Sequence, residues 1–481
     1  MSQLGDYFFC GVGGSGMTPL ALIIQARGGL VEGSDRALDQ GRNAERFDFL
    51  RARGVLLHPQ DGSGVSRAGQ ILVTSAAVEE TVPDVQAARR IGAAVTTRAR
   101  LLAELFNSSG LAVGVAGTSG KSTTVGMLGW ILHRAGKSPT IMNGADMKNF
   151  IDLGSPFASA RIGDGEVFVS EVDESDGSLA FFEPRVAVVN NISLDHKPLD
   201  VLRTMFRDFV AKAQTVVLNL DNAETAALLA GLRPGQAVTY SLGIAQAHLV
   251  ASSPVQSPAG VAFQVKARAT DEAAEVVLQV PGLHNVANAL AALSAAQVCG
   301  VALASAAAHL GEFTGIRRRL EVVGTANEIT VVDDFAHNPD KISATLETMH
   351  AFPGRLLLMF QPHGYGPIRL LRDAFVDCFA EGLRDEDVLL MPEPVYYGGT
   401  VDRSVGSDDI VREIQRRGRT AFAFPDRAAC ADVLVRLAHR GDRIVVMGAR
   451  DDSLSQFARE LLRRLAVTDA VHAPAQSGGA G

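Results

Sequence analysis

The 481-residue chain predicts an α/β protein of three domains. These are an N-terminal Rossmann-like parallel sheet, a central P-loop ATPase-like α/β domain and a C-terminal Rossmann-like α/β domain. Three observations lead there. Short apolar runs that read as buried strands alternate with helical stretches, as in a parallel, doubly wound sheet. Glycine-rich turns stand where strands hand over to helices, which is where such sheets take up anions. The alternation breaks once, after residue 222, and resumes near Glu321. The boundaries expected are 1–107, 108–316 and 317–467, with 468–481 a disordered tail that lacks an apolar period.

Each element follows in order. YFFCGV (7–12) reads as a buried strand, Gly13-Gly14-Ser15-Gly16 as a turn, and Met17-Ala21-Ile24 as one face of a helix. A second strand ends in Gly33-Ser34-Asp35. ILVTSAAV (71–78) and AAVTT (93–97) continue the alternation, and the polar stretch Asn107–Gly110 is a linker. LAVGVAG (111–117) opens the second domain, followed by EVFVSEVD (166–173), VAVVNNI (186–192) and TVVLNLDN (215–222). TYSLG, HLVASSP, GVAFQVKA and AAEVVLQV then read as short antiparallel strands, with an alanine-rich helix (288–298) behind them. The third domain has strands at 329–334, 355–360, 387–392 and 442–448.

Composition narrows the function. With 47% hydrophobic residues the chain can bury several cores. A net charge of −8 argues against a nucleic-acid partner, which needs a positive surface to displace counterions. No apolar run approaches the roughly 20 residues that span a bilayer, and the N-terminus lacks a secretory layout. Cys10, Cys299, Cys378 and Cys430 are far apart in apolar segments, so buried free thiols are expected rather than disulfides or a metal site. The reading is a cytoplasmic protein, monomer or homodimer, whose partners are small molecules.

The chemistry centres on Gly117-Thr118-Ser119-Gly120-Lys121-Ser122-Thr123. Between a strand and a helix, this pattern wraps backbone amides around a polyphosphate. The lysine neutralises the phosphates, and the first hydroxyl after it holds Mg²⁺. Val115 stands where the usual pattern begins with glycine. Carboxylates at the ends of neighbouring parallel strands can converge on one ion, and Glu171-Val172-Asp173-Glu174 and Asp195-His196 are so placed. A solvated acidic loop and a capping histidine are the plainer readings of the same residues.

At this point the chain resembles the Mur ligases of peptidoglycan assembly, over nearly its whole length. The loop Gly117–Thr123 is similar to the family's ATP loop, and Glu171 and His196 match its magnesium-binding glutamate and histidine. Pro281-Gly282-x-His284-Asn285-x-x-Asn288-Ala289 resembles its helix start near adenine, with Asn288 as the base contact. Phe313-x-Gly315-x-x-Arg318-Arg319 resembles the segment whose second arginine reaches the γ-phosphate. Asp333-Asp334-Phe335-Ala336-His337 resembles its ribose-binding region, with Asp334 in that role.

The resemblance implies ATP and Mg²⁺ as cofactors and a reaction in which a carboxylate becomes an acyl phosphate that an amine attacks. Lys121, Glu171, His196, Arg319 and His337 would be the catalytic set. Gly11–Met17, Gly33-Ser34-Asp35, Glu171–Asp176 and Phe360-Gln361-Pro362-His363 point to the branch that joins L-alanine to UDP-N-acetylmuramate. A branch that attaches a tripeptide to the same sugar is its neighbour.

Gly13, Gly14, Ser15, Gly16 and Asp35 would then hold the nucleotide-bearing substrate. His337 either places or deprotonates the amine or is a structural histidine bonded to a loop backbone, and His363 shares that ambiguity. Arg369 or Arg450 holds a substrate carboxylate, or both are surface arginines. Four segments depart from the branch's pattern: Asn143–Asn149, Lys197-Pro198, Gly364–Pro367 (where an arginine usually follows Phe-Gln-Pro-His) and Gly448–Asp452. They fall at donor and acceptor positions, so a different carboxylate and amine is a second expectation.

Two readings of other classes stand beside it. Gly11-x-Gly13-x-x-Gly16 with Asp35 after the next strand fits an NAD(P)-dependent dehydrogenase, though it leaves the other two domains unexplained. A non-catalytic descendant with an intact nucleotide site is the third.

Overall fold

The computed structural model describes residues 5–75, 78–152, 154–175, 177–194, 197–395, 402–449, 451 and 453–472. Contacts divide the chain into two compact units, residues 1–316 and 317–481.

The first unit holds two sheets. The N-terminal sheet has five strands in the order Leu56–His58, Leu30–Ser34, Asp6–Cys10, Gln70–Thr74 and Ala94–Thr97, all parallel. The chain therefore winds outward in both directions from Asp6–Cys10, and the glycine turn after that strand sits at the switch point where such sheets bind ligands. Asp6–Cys10 is apolar and buried almost throughout, as a strand covered by helices on both faces must be. The helix Arg98–Asn107 closes this part. Thr97 caps it by accepting from the Arg100 amide, and Leu101, Leu102, Leu105 and Phe106 form its buried face.

The second sheet has ten strands, and its parallel part is built around Leu111–Ala116, flanked by Val186–Val189 and Val167–Glu171. Register puts Val115 opposite Glu171 and Ala116 opposite Val189. The carboxyl ends of all three strands therefore lie side by side. The helix Lys121–Arg134 leaves directly from the phosphate loop and packs on the alanine-rich helix Leu283–Val298. That helix is buried on nearly all sides, which small side chains permit.

One expectation is corrected here. The strand Ala237–Ser241 pairs parallel with Thr215–Asn219 and with Leu249–Ser257; the other three of these four, Leu249–Ser257, Gly260–Ala267 and Ala273–Leu278, form an antiparallel run. The reason is the connection. The helical turns Ala223–Ala227 and Leu228–Gly231 carry the chain back before Ala237, and a helical crossover returns a strand parallel to the one before it.

The second unit has six strands. Glu321–Ala326 forms an antiparallel hairpin with Ile329–Asp334, and the rest run parallel, with Arg443–Gly448 at the centre between Ile329–Asp334 and Leu356–Gln361. Apolar cores cover both faces. The last helix runs Leu454–His472, past residue 467 where the ordered chain was expected to stop; 473–481 lie outside the described residues. The four cysteines are buried and unpaired with one another, as their apolar surroundings imply. Among the described residues no helix is long and apolar enough to cross a membrane.

Candidate active site

The phosphate loop is shaped by two glycines and an asparagine pair. Gly117 (φ 136°) and Gly120 (φ 82°) adopt backbone angles that only glycine takes easily. The space is as restrictive as the angle: a Cβ on Gly120 would stand 2.2 Å from Asn288 Oδ1. Asn191, after the neighbouring strand, accepts from the Thr118 amide through its carbonyl (3.0 Å). Its side chain accepts from the Ser119 amide (2.9 Å) and donates to the Ser119 carbonyl (3.1 Å). Thr118 and Ser193 close the far side, with the Ser193 amide donating to Thr118 Oγ1 at 3.0 Å. Asn190 Nδ2 donates to Thr124 Oγ1 at 2.9 Å. Neither asparagine was singled out from sequence. The signal available was their position after a strand that pairs directly with the loop strand.

Lys121 is half enclosed by carboxylates. Its Nζ donates to Glu174 Oε2 and to the Gly117 carbonyl, both at 2.7 Å. Burial alone would depress this lysine, but Glu174, Glu171 and Asp173 hold it above its ordinary value, so it stays cationic. Burial pushes the Glu174 carboxyl up in spite of the lysine. Asp173 goes the other way: burial works against it, yet Lys121, Ser175 and Arg98 bring it below the usual carboxylate range. Glu174 is 3% exposed, so the solvated-loop reading of this acidic run does not hold at Glu174. A buried acid must be paired, and its partner is the lysine.

Ser122 Oγ donates to Glu171 Oε2 at 2.9 Å, and the Gly144 amide donates to the same oxygen at 3.0 Å. A Cβ at 144 would lie 2.8 Å from that oxygen, so the departure segment Asn143–Asn149 contributes a glycine that the glutamate needs. Asn143 Nδ2 donates to the Ser122 carbonyl at 2.9 Å, bracing the same turn. A hydroxyl and a carboxylate oxygen this close are the hard donors that Mg²⁺ prefers, so these residues fit the ion. His196 lies outside the described residues; among those described no group of three or more His, Cys, Asp or Glu is arranged as a metal cluster. Thr123 is buried at the helix start.

Asn288 is brought to the loop rather than held away from it. Its side chain is buried, with Nδ2 donating to Asn285 Oδ1 (3.0 Å) and Oδ1 accepting from Thr124 (3.4 Å).

In the N-terminal sheet, Asp35 ties the glycine turn to its own helix: Oδ2 accepts from the Gly13 amide (2.9 Å) and Oδ1 from the Ala37 amide (2.8 Å). Gly13 has no room for a side chain, since a Cβ would sit 2.9 Å from the Phe47 ring. Gly14 and Ser15 are exposed and Gly16 half-buried; a Cβ on Gly16 would be 3.0 Å from Arg98 Cδ.

The second unit gathers Arg319, Asp334, His337 and His363. The Arg319 guanidinium lies over the Phe335 ring at 4.4 Å. Asp334 accepts from the Leu320 amide (3.1 Å) and from Thr345 Oγ1 (2.6 Å). His337 Nδ1 is 2.8 Å from the Phe335 carbonyl. A carbonyl only accepts, which puts the ring proton on Nδ1 and leaves Nε2 as an acceptor. The ring meets His363 edge to face at 5.3 Å. Burial, with Lys341, His363 and Arg319 nearby, pushes its pKa down to about 3. The ring bonds to a loop backbone, as the structural alternative expects, and is held neutral.

Arg369 pairs with Asp402 at 3.0 Å on the surface, as the surface alternative expects, and Arg450 lies outside the described residues. Arg318, which precedes Arg319 in the same motif, was given no role from sequence. It is buried at φ 58° and donates to the Gly448 (2.7 Å) and Asp451 (3.1 Å) carbonyls, with Asp333 at 3.4 Å.

Comparison with known proteins accords with this arrangement. Residues 6–109 match the Mur ligase family catalytic domain, 115–296 the Mur ligase middle domain, and 318–450 the Mur ligase glutamate ligase domain. The chain is 31% identical over 472 residues to a UDP-N-acetylmuramate–L-alanine ligase of Nitrobacter winogradskyi, covering 95% of this chain and 97% of that one. It is 35% identical over 471 residues to the ligase of the same name from Gloeobacter violaceus, covering 95% of each. Among solved structures, the UDP-N-acetylmuramate-alanine ligase of Thermotoga maritima superposes with a TM-score of 0.76 at 24% identity, over 98% of this chain and all of that one. A murein peptide ligase of Psychrobacter arcticus gives 0.69 at 24%, over 96% and 99%. At that identity the superpositions speak for the fold.

Proposed function

The chain belongs to the Mur ligase family, and from that premise we propose that it is an ATP-dependent ligase joining L-alanine to UDP-N-acetylmuramate. The observation that carries the reaction type is the phosphate loop after one strand, with Lys121 bonded to Gly117 and Ser122 bonded to Glu171 at the carboxyl end of the adjacent strand. The donor and acceptor are those of the relatives at 31–35% identity. The dehydrogenase reading falls away, because residues 6–109 match a ligase domain.

The task of the site is to spread charge as a phosphoryl group moves from ATP to a carboxylate, since a free carboxylate is a poor electrophile. Lys121 brings a fixed cation to the loop. Ser122 and Glu171, with His196, are the residues that would hold Mg²⁺, which supplies the remaining neutralisation when bound. By the family resemblance, Arg319 would supply a second cation and Asp334 a ribose contact. The amine attacks the acyl phosphate carbon, the C–N bond forms as the C–O bond to phosphate breaks, and phosphate leaves. His337, neutral with Nε2 free to accept a hydrogen bond, suits placing the amine and is too weak a base to take its proton; that proton leaves with the departing phosphate. The glycine turn 13–16 holds the donor's phosphates at its helix start.

A second reading has its own support: the same reaction with a different amine. Gly364 stands where the resemblance expects an arginine, and its φ of 124° is one that a side chain adopts only under strain. The amino-acid end of the site is therefore rebuilt in this chain. A phosphate-release screen over amino acids and short peptides, with and without UDP-N-acetylmuramate, separates the readings. Release requiring both the sugar nucleotide and L-alanine supports the first, and release with the sugar nucleotide and another amine supports the second. Release independent of the sugar nucleotide overturns both.

A further inference from the structure

We propose that Glu174 is an internal stand-in for phosphate, occupying Lys121 when the loop holds no nucleotide and competing with nucleotide for it. The inference rests on the nucleotide reading of the loop and says nothing of which carboxylate or amine is joined.

The geometry is specific. Glu174 lies three residues beyond Glu171, in the turn that follows the strand Val167–Glu171. From there Oε2 reaches Lys121 Nζ at 2.7 Å, and the lysine's other bond folds back onto Gly117 of its own loop. The pair is withdrawn from water, with side chains 12% and 3% exposed for Lys121 and Glu174. One short acidic segment therefore engages the loop's lysine and its metal-side hydroxyl: Glu174 takes the ammonium, and Glu171 takes the Ser122 hydroxyl. Glu171 has a further task as a metal-holding residue, whereas the phosphoryl transfer requires nothing of Glu174.

Its energetic role follows from burial. A carboxylate enclosed by protein depends on its counter-ion, and removing that partner is costly. A nucleotide that draws Lys121 toward its phosphates must share or break this pair, so part of the binding free energy is spent on Glu174. Lys121 is held on Glu174 until a ligand brings enough negative charge to draw it away.

The test is the affinity of Glu174→Gln for a fluorescent ATP analogue, read by anisotropy in EDTA so that metal binding at Glu171 does not contribute. Gln keeps the shape and removes the competing charge. The expected result is binding about tenfold tighter than the native protein, equivalent to ~1.4 kcal/mol. A residue that merely orders the lysine would give unchanged or weaker binding, and either result overturns the proposal. Should the Gln variant not fold, judged by its thermal transition, Glu174→Asp withdraws the carboxylate by one methylene. About threefold tightening is expected there, from a weakened but retained pair, and no tightening refutes the idea equally. If the native protein binds no nucleotide, the nucleotide reading falls and the latch with it. If the native protein binds and neither variant binds tighter, only the latch is lost.

Discussion

Gly120→Ala is the most informative single change in the phosphate loop, because the structure separates two penalties that usually come together. At φ 82° an alanine is strained, at about 1 kcal/mol. The added methyl would also lie 2.2 Å from Asn288 Oδ1 and 3.0 Å from Asn190 Nδ2. Asn288 is buried and cannot simply swing into water, so it must give up its bonds to Asn285 and Thr124, worth about 1 kcal/mol each. The sum is a loss of roughly 2–3 kcal/mol. Gly136 provides the control, since its φ of 73° is similar but nothing lies within 4 Å of its Cβ position; Gly136→Ala should show the strain alone. In thermal unfolding the Gly120 variant should lower the transition of the first unit by roughly 4–6 °C and the Gly136 variant by about 2 °C. The double variant Gly120→Ala/Asn288→Ala should be less destabilised than the two single losses added together, since the clash is absent in it. If both glycine variants lose the same stability, Asn288 does not brace the loop and the reasoning is wrong.

Four further outcomes are expected. Lys121→Ala should abolish phosphate release while the circular-dichroism spectrum stays native, with the thermal transition lowered because Glu174 loses its cation; full activity would sink the mechanism. Glu171→Gln should raise the Mg²⁺ concentration needed for half-maximal release by at least about tenfold, from loss of a ligand charge; an unchanged requirement would remove Glu171 from the metal site. His337 contributes to pH dependence. Its folded value of about 3 lies below its ordinary 6.5, so only the unfolded chain takes up this proton as pH falls below 6.5. Stability is lost through that window, by about 2 kcal/mol at pH 5, and urea unfolding of His337→Gln should show a flatter profile between pH 7 and 5. Arg318→Met should destabilise the second unit by about 3–5 kcal/mol, because Asp333 is left buried without its cation; a change below about 1 kcal/mol would mean that the pair is dispensable.

The legibility of this protein in its sequence was uneven, for physical reasons. Strand–turn–helix alternation carries the parallel sheets because their central strands are apolar on both faces, so Asp6–Cys10, Leu111–Ala116 and Arg443–Gly448 stand out. Ala237–Ser241 was misjudged because a five-residue strand has the same composition whether parallel or antiparallel; the crossover before it decides. The phosphate loop was legible as a motif, but its braces were not. Asn190 and Asn191 reach it only through strand register, and Asn143 and Gly144 through a turn whose position depends on the fold around it. Glu174 looked like one acid among several, and only burial distinguishes it. Asp35 also braces the glycine turn, its oxygens accepting from Gly13 and Ala37, a local economy that spacing alone does not reveal.

Phe106, the penultimate residue of the helix Arg98–Asn107, packs edge to face on Phe182 at 5.3 Å and tilted on Phe168 at 5.8 Å. It belongs to an apolar cluster that also holds Phe9 of the first sheet, Leu20 of the helix after it, Val216 of the second sheet and Phe206 of the helix before that strand. For protein engineering this makes the segment after Asn107 a poor place to cut. A chimaera that grafts a relative's first hundred residues onto this chain would transplant one half of a shared oil drop. It would need matching aromatic partners at 168 and 182 to fold, whichever donor its glycine turn is chosen to accept.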